Sequence, residues 1–249
     1  MYITILIFII FIVVILYYIY SPKKCYDPKG ITITDNNKSL IERINYKYIL
    51  NNDETKKLLQ LKNIFIPSLF DNTYCDYLTT YYYDISDFID SNQYNSYHRI
   101  RIRSYLFHSY QYLELKSKHN KLRIKIDKNY DIINPIVLEN IYIKPINNFI
   151  KKIKSKKIKP LFKNTYKRYS FVYFDNHEIR ITIDTDVFFS NQTLKHTMKQ
   201  NIMEIKAPYT ISENQINQYI NIINQKINTN LTILDFSKFD YFKELTNSN

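Results

Sequence analysis

Residues 99–103 read Arg-Ile-Arg-Ile-Arg. In an extended strand this period of two sets three arginines on one face and the isoleucines on the other. The scheme recurs in Leu113-Glu114-Leu115-Lys116, in Arg180-Ile181-Thr182-Ile183-Asp184 and in Ile202-Met203-Glu204-Ile205-Lys206. Eight runs follow it: Ile44–Leu50, Tyr77–Tyr83, His98–Tyr105, Tyr112–Lys118, Leu122–Ile126, Tyr166–Phe174, Glu178–Asp184 and Asn201–Lys206. Each predicts a strand with one apolar and one charged face. A solvated antiparallel sheet packed on helices accounts for any single run.

Taken together the runs ask for more. The chain carries 42 Ile, 28 Lys and 25 Tyr but only seven Arg, so lysine is the background cation and arginine the informative one. Most of the arginines fall on these strands, three at consecutive same-face positions. Like charges opposed across a sheet are destabilising unless something neutralises them, and guanidinium groups bind phosphate oxygens bidentately. A polyanion is the expected occupant. The net charge of +12 is otherwise largely lysine background. One glycine in 249 residues excludes a phosphate-cradling backbone loop and a dinucleotide-binding fingerprint. Two cysteines, Cys25 and Cys75, cannot build a disulfide scaffold or a zinc ribbon. The five histidines show no metal-ligand spacing.

Residues 1–20 are uncharged and apolar, long enough to span a bilayer, and are followed by Ser21-Pro22-Lys23-Lys24. The expected organisation is a transmembrane anchor over 1–20, a juxtamembrane linker over 21–40, a catalytic domain over 41–242 and a tail over 243–249. Lysines on the C-terminal side of the span favour a single-pass protein with a cytosolic domain. Asn52–Leu61 predicts a helix with an Asn or Asp cap. Ile132–Lys157 predicts one or two helices broken near Pro145. Ser212–Ile227 predicts a third, capped by Ser212, with Ile216, Tyr219, Ile220 and Ile223 on one stripe. The lysine run over 151–159 reads as a solvated helix face.

The expected fold class is α+β: an antiparallel eight-stranded closed β-barrel with flanking helices, charged faces inward, forming a basic tunnel. Carboxylates among the cations (Glu204, Glu114 and Asp184) are candidates for holding a divalent metal, since Mg²⁺ or Mn²⁺ takes one or two carboxylates plus phosphate oxygens. Such a site suits phosphoryl transfer, which depends on positioning and charge stabilisation.

These residues resemble the VTC domain, the catalytic domain of vacuolar-transporter-chaperone polyphosphate polymerases in the CYTH, or triphosphate tunnel metalloenzyme, superfamily. The resemblance is ordered along residues 41–242. It runs through Arg43-x-x-x-Lys47-Tyr48, Tyr82-Tyr83-Asp84, Arg101-Ile102-Arg103-x-Tyr105 and Leu113-Glu114-Leu115-Lys116-x-Lys118. It continues through Tyr166-x-Arg168, Arg180-Ile181-Thr182-Ile183-Asp184, Met203-Glu204-Ile205-Lys206 and Phe236-Ser237-Lys238-Phe239. It implies that Lys47, Arg101, Arg103, Lys116, Arg168, Arg180 and Lys238 grip phosphate. Tyr166 and Ser237 would be neutral phosphate contacts, Arg123 or Lys125 nearby a further substrate contact, and Glu204 the ligand of Mn²⁺ or Mg²⁺; Lys206 and Asp184, on the same strand faces, are secondary candidates. The implied partners are ATP and polyphosphate, with the membrane reached through the N-terminal helix.

Two departures qualify that implication. Hydrolytic tunnel enzymes carry Glu-x-Glu-x-Lys on an opening strand, whereas this chain reads Arg43-x-Asn45-x-Lys47 there, Tyr112-x-Glu114-x-Lys116 later and Ile202-x-Glu204-x-Lys206 last. Fewer acids favour a polymerase over a triphosphatase, which stands as the alternative beside a non-catalytic polyanion-binding module. The single hydrophobic segment precedes the domain, whereas eukaryotic members of the family place their membrane helices after it.

Overall fold

The computed structural model describes residues 43–68, 75–87, 97–106, 108–117, 121–129 and 140–247. The expected anchor and linker lie outside them. No helix among the described residues is long and apolar enough to cross a membrane.

All eight predicted runs are strands of one antiparallel sheet: β1 (Arg43–Leu50), β3 (Cys75–Tyr83), β4 (Tyr97–Tyr105), β5 (Tyr110–Ser117), β6 (Lys121–Asp127), β7 (Phe162–Tyr173), β8 (Arg180–Ser190) and β10 (Asn201–Pro208). Three short strands join them: β2 (Phe65–Pro67), β9 (Lys195–Thr197) and β11 (Thr232–Ile233). The hydrogen-bonded order is β11-β1-β10-β8-β7-β3-β4-β5-β6, with β2 on β7 and β9 on β8. The expected closed barrel is therefore corrected in one respect. Among the described residues no ladder joins β6 to β1 or β11, and the sheet is a curled one with two ends. Its curl still brings distant strands face to face, since Lys116 on β5 feels the charges of Glu204 on β10 and Lys47 on β1.

The outer face carries two apolar cores. Over β1, β7, β8 and β10 lie α1 (Asn52–Leu59) and α3 (Glu213–Ile227), which bury Leu58, Ile216, Ile220, Ile223 and Ile227 against Ile181, Ile183, Met203 and Ile205. Ser212 caps α3 as expected, in a reciprocal box with Gln215. Tyr219 flanks the stripe, its ring 4.4 Å from that of Tyr173. Over β4–β6 lies α2 (Asn140–Lys154), burying Ile146, Phe149 and Ile150 against Ile100, Ile102, Leu113 and Leu115. Pro145 does not break α2, contrary to expectation.

On the inner face of β8 the alternation shifts. Arg180, Thr182 and Asp184 point inward on β8, Asp186 adopts a left-handed φ of 54°, and Val187 and Phe189 are buried on the inner side beyond it. The β7–β8 register slips at the same level, between Thr165 and Lys167. This bulge divides the inner face into a charged half and an aromatic half. The aromatic half is covered by α4 (Lys238–Asn247), whose Phe242 stacks on Phe162 at 4.1 Å while Phe239 packs on Tyr82 at 5.4 Å.

Candidate functional site

Cross-strand register assembles the charged half. Arg168 on β7 faces Asp184 on β8, and Thr182 on β8 faces Glu204 on β10, which in turn faces Lys47 on β1. On the other arm of the curl, Arg101 on β4 faces Glu114 on β5, and Glu114 faces Arg123 on β6. The inner face thus gathers Lys47, Arg99, Arg101, Arg103, Lys116, Arg123, Arg168, Arg180 and Lys206 from seven strands, and Lys238 from the start of α4. The carboxylates set against them are Glu114, Asp184, Glu204, Asp240 and Asp76, which faces Arg168 from β3 and lies 3.3 Å from His108.

Two carboxylates are buried counter-ions. Glu114, its side chain 1 % exposed, accepts from Arg101 Nε at 2.6 Å and Arg123 Nε at 2.7 Å, with Arg103 Nη2 at 3.9 Å. Asp184, equally buried, accepts from Arg168 Nε at 2.6 Å and Nη2 at 2.7 Å, and from the Lys238 ammonium. Burial alone pushes the Asp184 carboxyl up, but Arg168 and Lys238 outweigh it and hold the group at about 2. The sequence made Glu114 and Asp184 candidates for a metal, and the fold uses them otherwise: each is saturated by cations.

Glu204 differs. Its side chain is 17 % exposed, and it pairs with Lys206 Nζ at 3.0 Å. Burial raises its carboxyl, and Lys206 and Arg168 more than reverse that, so it is ionised well below the usual carboxylate range. Lys206, desolvated and repelled by Arg168 and Arg180 against the pull of Glu204, is lowered to about 8. No group of three or more His, Cys, Asp or Glu side chains among the described residues could hold a metal ion. The donor set still fits a hard divalent cation in one way: an ionised, partly open carboxylate supplies one oxygen, and phosphate and water supply the rest.

The remaining expected residues fall around this centre. Lys47 donates to the Phe236 carbonyl at 3.0 Å. Tyr166 is buried beneath two cations, with the Lys238 ammonium 4.6 Å and the Arg168 guanidinium 5.2 Å from its ring. Lys116 is exposed, yet partial desolvation of its ammonium, followed by repulsion from Arg99 and Arg101, lowers its pKa. Arg103 is buried; desolvation opposes its charge, but Tyr166 and Glu114 raise its pKa above the ordinary arginine value. Arg180 is half-buried beside Lys206. Ser237, expected as a phosphate contact, also caps α4: its Oγ accepts from the Asp240 N–H at 3.3 Å, while its own hydroxyl and N–H donate to the Asp240 carboxylate.

Residue-type reasoning missed Tyr82 and Asp240. Tyr82 receives Arg101 Nη1 on its hydroxyl at 3.4 Å, and Arg101 and Arg103 lower its pKa against the effect of burial. Asp240 lies 3.5 Å from Arg99, whose guanidinium also sits 4.5 Å over Phe239. The Tyr82-Tyr83-Asp84 segment carried part of that signal, whereas nothing in Lys238–Asn247 marked a helix that would fold back onto the sheet.

Among known protein families, the VTC domain matches residues 42–244. Curated proteins give no match. Among solved structures, the PH1819 protein of Pyrococcus horikoshii overlays with a TM-score of 0.47 at 14% identity, covering 83% of this chain and 99% of its own. A Pyrococcus furiosus protein overlays at 0.41 and 10% identity, covering 76% and 94%. The inorganic triphosphatase NE1496 overlays at 0.29 and 13% identity, covering 70% and 80%.

Proposed function

The chain belongs to the VTC domain family, whose enzymes act on triphosphates, and on that premise we propose that it is a polyphosphate polymerase. It transfers the γ-phosphoryl group of ATP to the end of a growing polyphosphate, with residues 1–20 tethering the domain to a membrane on its cytosolic side. The observation that carries this reading is the charge surplus of the inner face. Among the described residues the cations that converge there outnumber the carboxylates, and two of those carboxylates, Glu114 and Asp184, are already saturated. Such a surface is self-repelling until a polyanion enters it.

The residues divide the work by position. Arg168, Arg180, Lys206 and Lys47 lie around Glu204 and would hold a triphosphate. Arg101, Arg103, Arg123 and Lys116 lie on the opposite arm and would hold the acceptor chain. Bidentate guanidinium contacts fix phosphate orientation, which the in-line geometry of transfer requires. An oxygen of the acceptor's terminal phosphate forms the new bond to the γ-phosphorus as the bond to the β-phosphate oxygen breaks, and ADP leaves. No protein base is needed, because that acceptor oxygen is already ionised. Glu204 would hold the divalent cation, Mn²⁺ or Mg²⁺, which when bound neutralises charge on the phosphoryl oxygens. Lys238, latched to Asp184 and resting on Tyr166, supports the floor of the site.

A second reading, triphosphate hydrolysis, is favoured by one observation. Phe239 and Phe242 of α4 cover the inner face at one end, and a short substrate fits the charged half without passing them. Incubation of the protein with ATP and Mn²⁺ separates the readings. The polymerase yields long, acid-labile polyphosphate, whereas release of orthophosphate alone refutes it in favour of the triphosphatase.

A further inference from the structure

We propose that Thr182 is part of the cation site, its hydroxyl holding a water of the hydration shell of a divalent ion bound at Glu204. The proposal deepens the reading of Glu204 above and rests on it.

Thr182 lies on β8 directly opposite Glu204 on β10, and on its other side opposite Ser170 on β7. Directly paired residues on one face of an antiparallel sheet hold their Cβ atoms about 4.5–5.5 Å apart, so the hydroxyl and the carboxylate share one small space. Thr182 is 5 % exposed, and its Oγ1 is buried without a hydrogen-bond partner. Its strand neighbours on the same face, Arg180 and Asp184, leave it so: Asp184 is taken up by Arg168 and Lys238. A buried orphaned hydroxyl is unfavourable, and valine would fill the same volume without that penalty. The polar choice points to a partner absent from the bare protein.

The chemistry of the neighbourhood selects that partner. As a carboxylate Glu204 can only accept: it can receive the Thr182 O–H, but among the described residues nothing donates to the Thr182 Oγ1 lone pairs. A divalent cation of the Mg²⁺ or Mn²⁺ type keeps several waters when one carboxylate binds it. One such water can donate to Thr182 Oγ1 while the threonine O–H turns toward Glu204 or a phosphate oxygen. Partners of this kind, one step removed from the metal, commonly alter metal affinity by about 10–100-fold.

The test is Mn²⁺ binding by the full-length chain in detergent with one equivalent of tripolyphosphate, which supplies the phosphate oxygens the site needs, and with free Mn²⁺ counted by electron paramagnetic resonance against a protein-free control. Thr182→Val should raise the Mn²⁺ dissociation constant about tenfold or more. Thr182→Ser, which keeps the hydroxyl, should restore it to within about threefold of wild type. Thermal unfolding without metal should show Thr182→Val at least as stable as wild type, because the hydroxyl it loses has no partner. Unchanged Mn²⁺ affinity in Thr182→Val, alongside loss of binding in Glu204→Gln, overturns the role of Thr182 and leaves Glu204 in place. Absence of binding in wild type, or full binding in Glu204→Gln, overturns the Glu204 site itself. Weaker tripolyphosphate binding by Thr182→Val with unchanged Mn²⁺ affinity also counts against the proposal, and assigns the hydroxyl to phosphate.

Discussion

Asp184→Asn probes the idea that the inner-face carboxylates stand in for substrate charge. Asp184 is buried, receives both Nε and Nη2 of Arg168, and also receives Lys238. Its carboxyl is held at about 2 against an ordinary 3.8. That displacement corresponds to about 2 kcal/mol of folding free energy at neutral pH, at about 1.4 kcal/mol per pH unit. Asparagine also leaves two buried cations facing a neutral amide, so the total loss should approach about 3–5 kcal/mol, the usual result of breaking one side of a buried pair. The sign with pH follows from the depressed value. The stabilisation is complete above the unfolded carboxyl's value near 3.8 and is lost as pH falls through about 2. Urea denaturation of wild type and variant at about pH 7, 4 and 3 should therefore show a gap that is full at neutral pH and begins to narrow at the lowest value. Tripolyphosphate should raise the melting temperature of the variant more than that of wild type, because the freed Arg168 and Lys238 gain an anionic partner. A loss under about 1 kcal/mol at neutral pH, or no extra rescue by tripolyphosphate, would refute the counter-ion argument.

Other perturbations address separate links. Arg168→Lys keeps the charge but not the fork that grips both Asp184 oxygens, so tripolyphosphate affinity measured calorimetrically should fall about tenfold while the charge count is unchanged. Raising salt from about 0.05 to 0.5 M should weaken oligophosphate binding steeply, since screening acts on the whole cationic face, whereas binding carried by shape alone would not respond. Desolvation, with Arg99 and Arg101, holds the Lys116 ammonium below the usual lysine range, so its contribution to phosphate binding should fade early as pH rises; Lys116→Arg should flatten that decline in a binding titration. Ile223→Ala, on the α3 stripe, should cost about 2–5 kcal/mol in chemical denaturation with no change in oligophosphate affinity, because Ile223 packs on the outer core.

What could be read from the sequence was whatever depends on near neighbours in the chain. A period of two identifies a strand without knowing its partner, so all eight long strands were legible, and Ser212 with Gln215 marks the start of α3 from four residues alone. Strands of two or three residues carry no period, which left β2, β9 and β11 unseen. The bulge at Asp186 hides for a similar reason: one left-handed residue reverses the alternation, and Val187 and Phe189 then point where parity places their neighbours. Closure is of another kind: among the described residues no ladder joins the outermost strands, whose pairing is a property of register and curl.

The same limit governed the site. Counting charges identifies a basic face, but only register decides which acid neutralises which base. Glu114, Asp184 and Glu204 look alike in sequence, each an acid among cations on an alternating strand. Register gives Glu114 three arginines and gives Asp184 the fork of Arg168 together with Lys238, whereas Glu204 keeps Lys206, some exposure and an unpartnered threonine hydroxyl across the ladder. A saturated carboxylate cannot take a cation without releasing its arginines, whereas Glu204 would exchange a single lysine, Lys206. The physical distinction between counter-ion and ligand therefore lies in the number and kind of bonds that must break, and on that measure Glu204 is the carboxylate of the three best able to accept a metal.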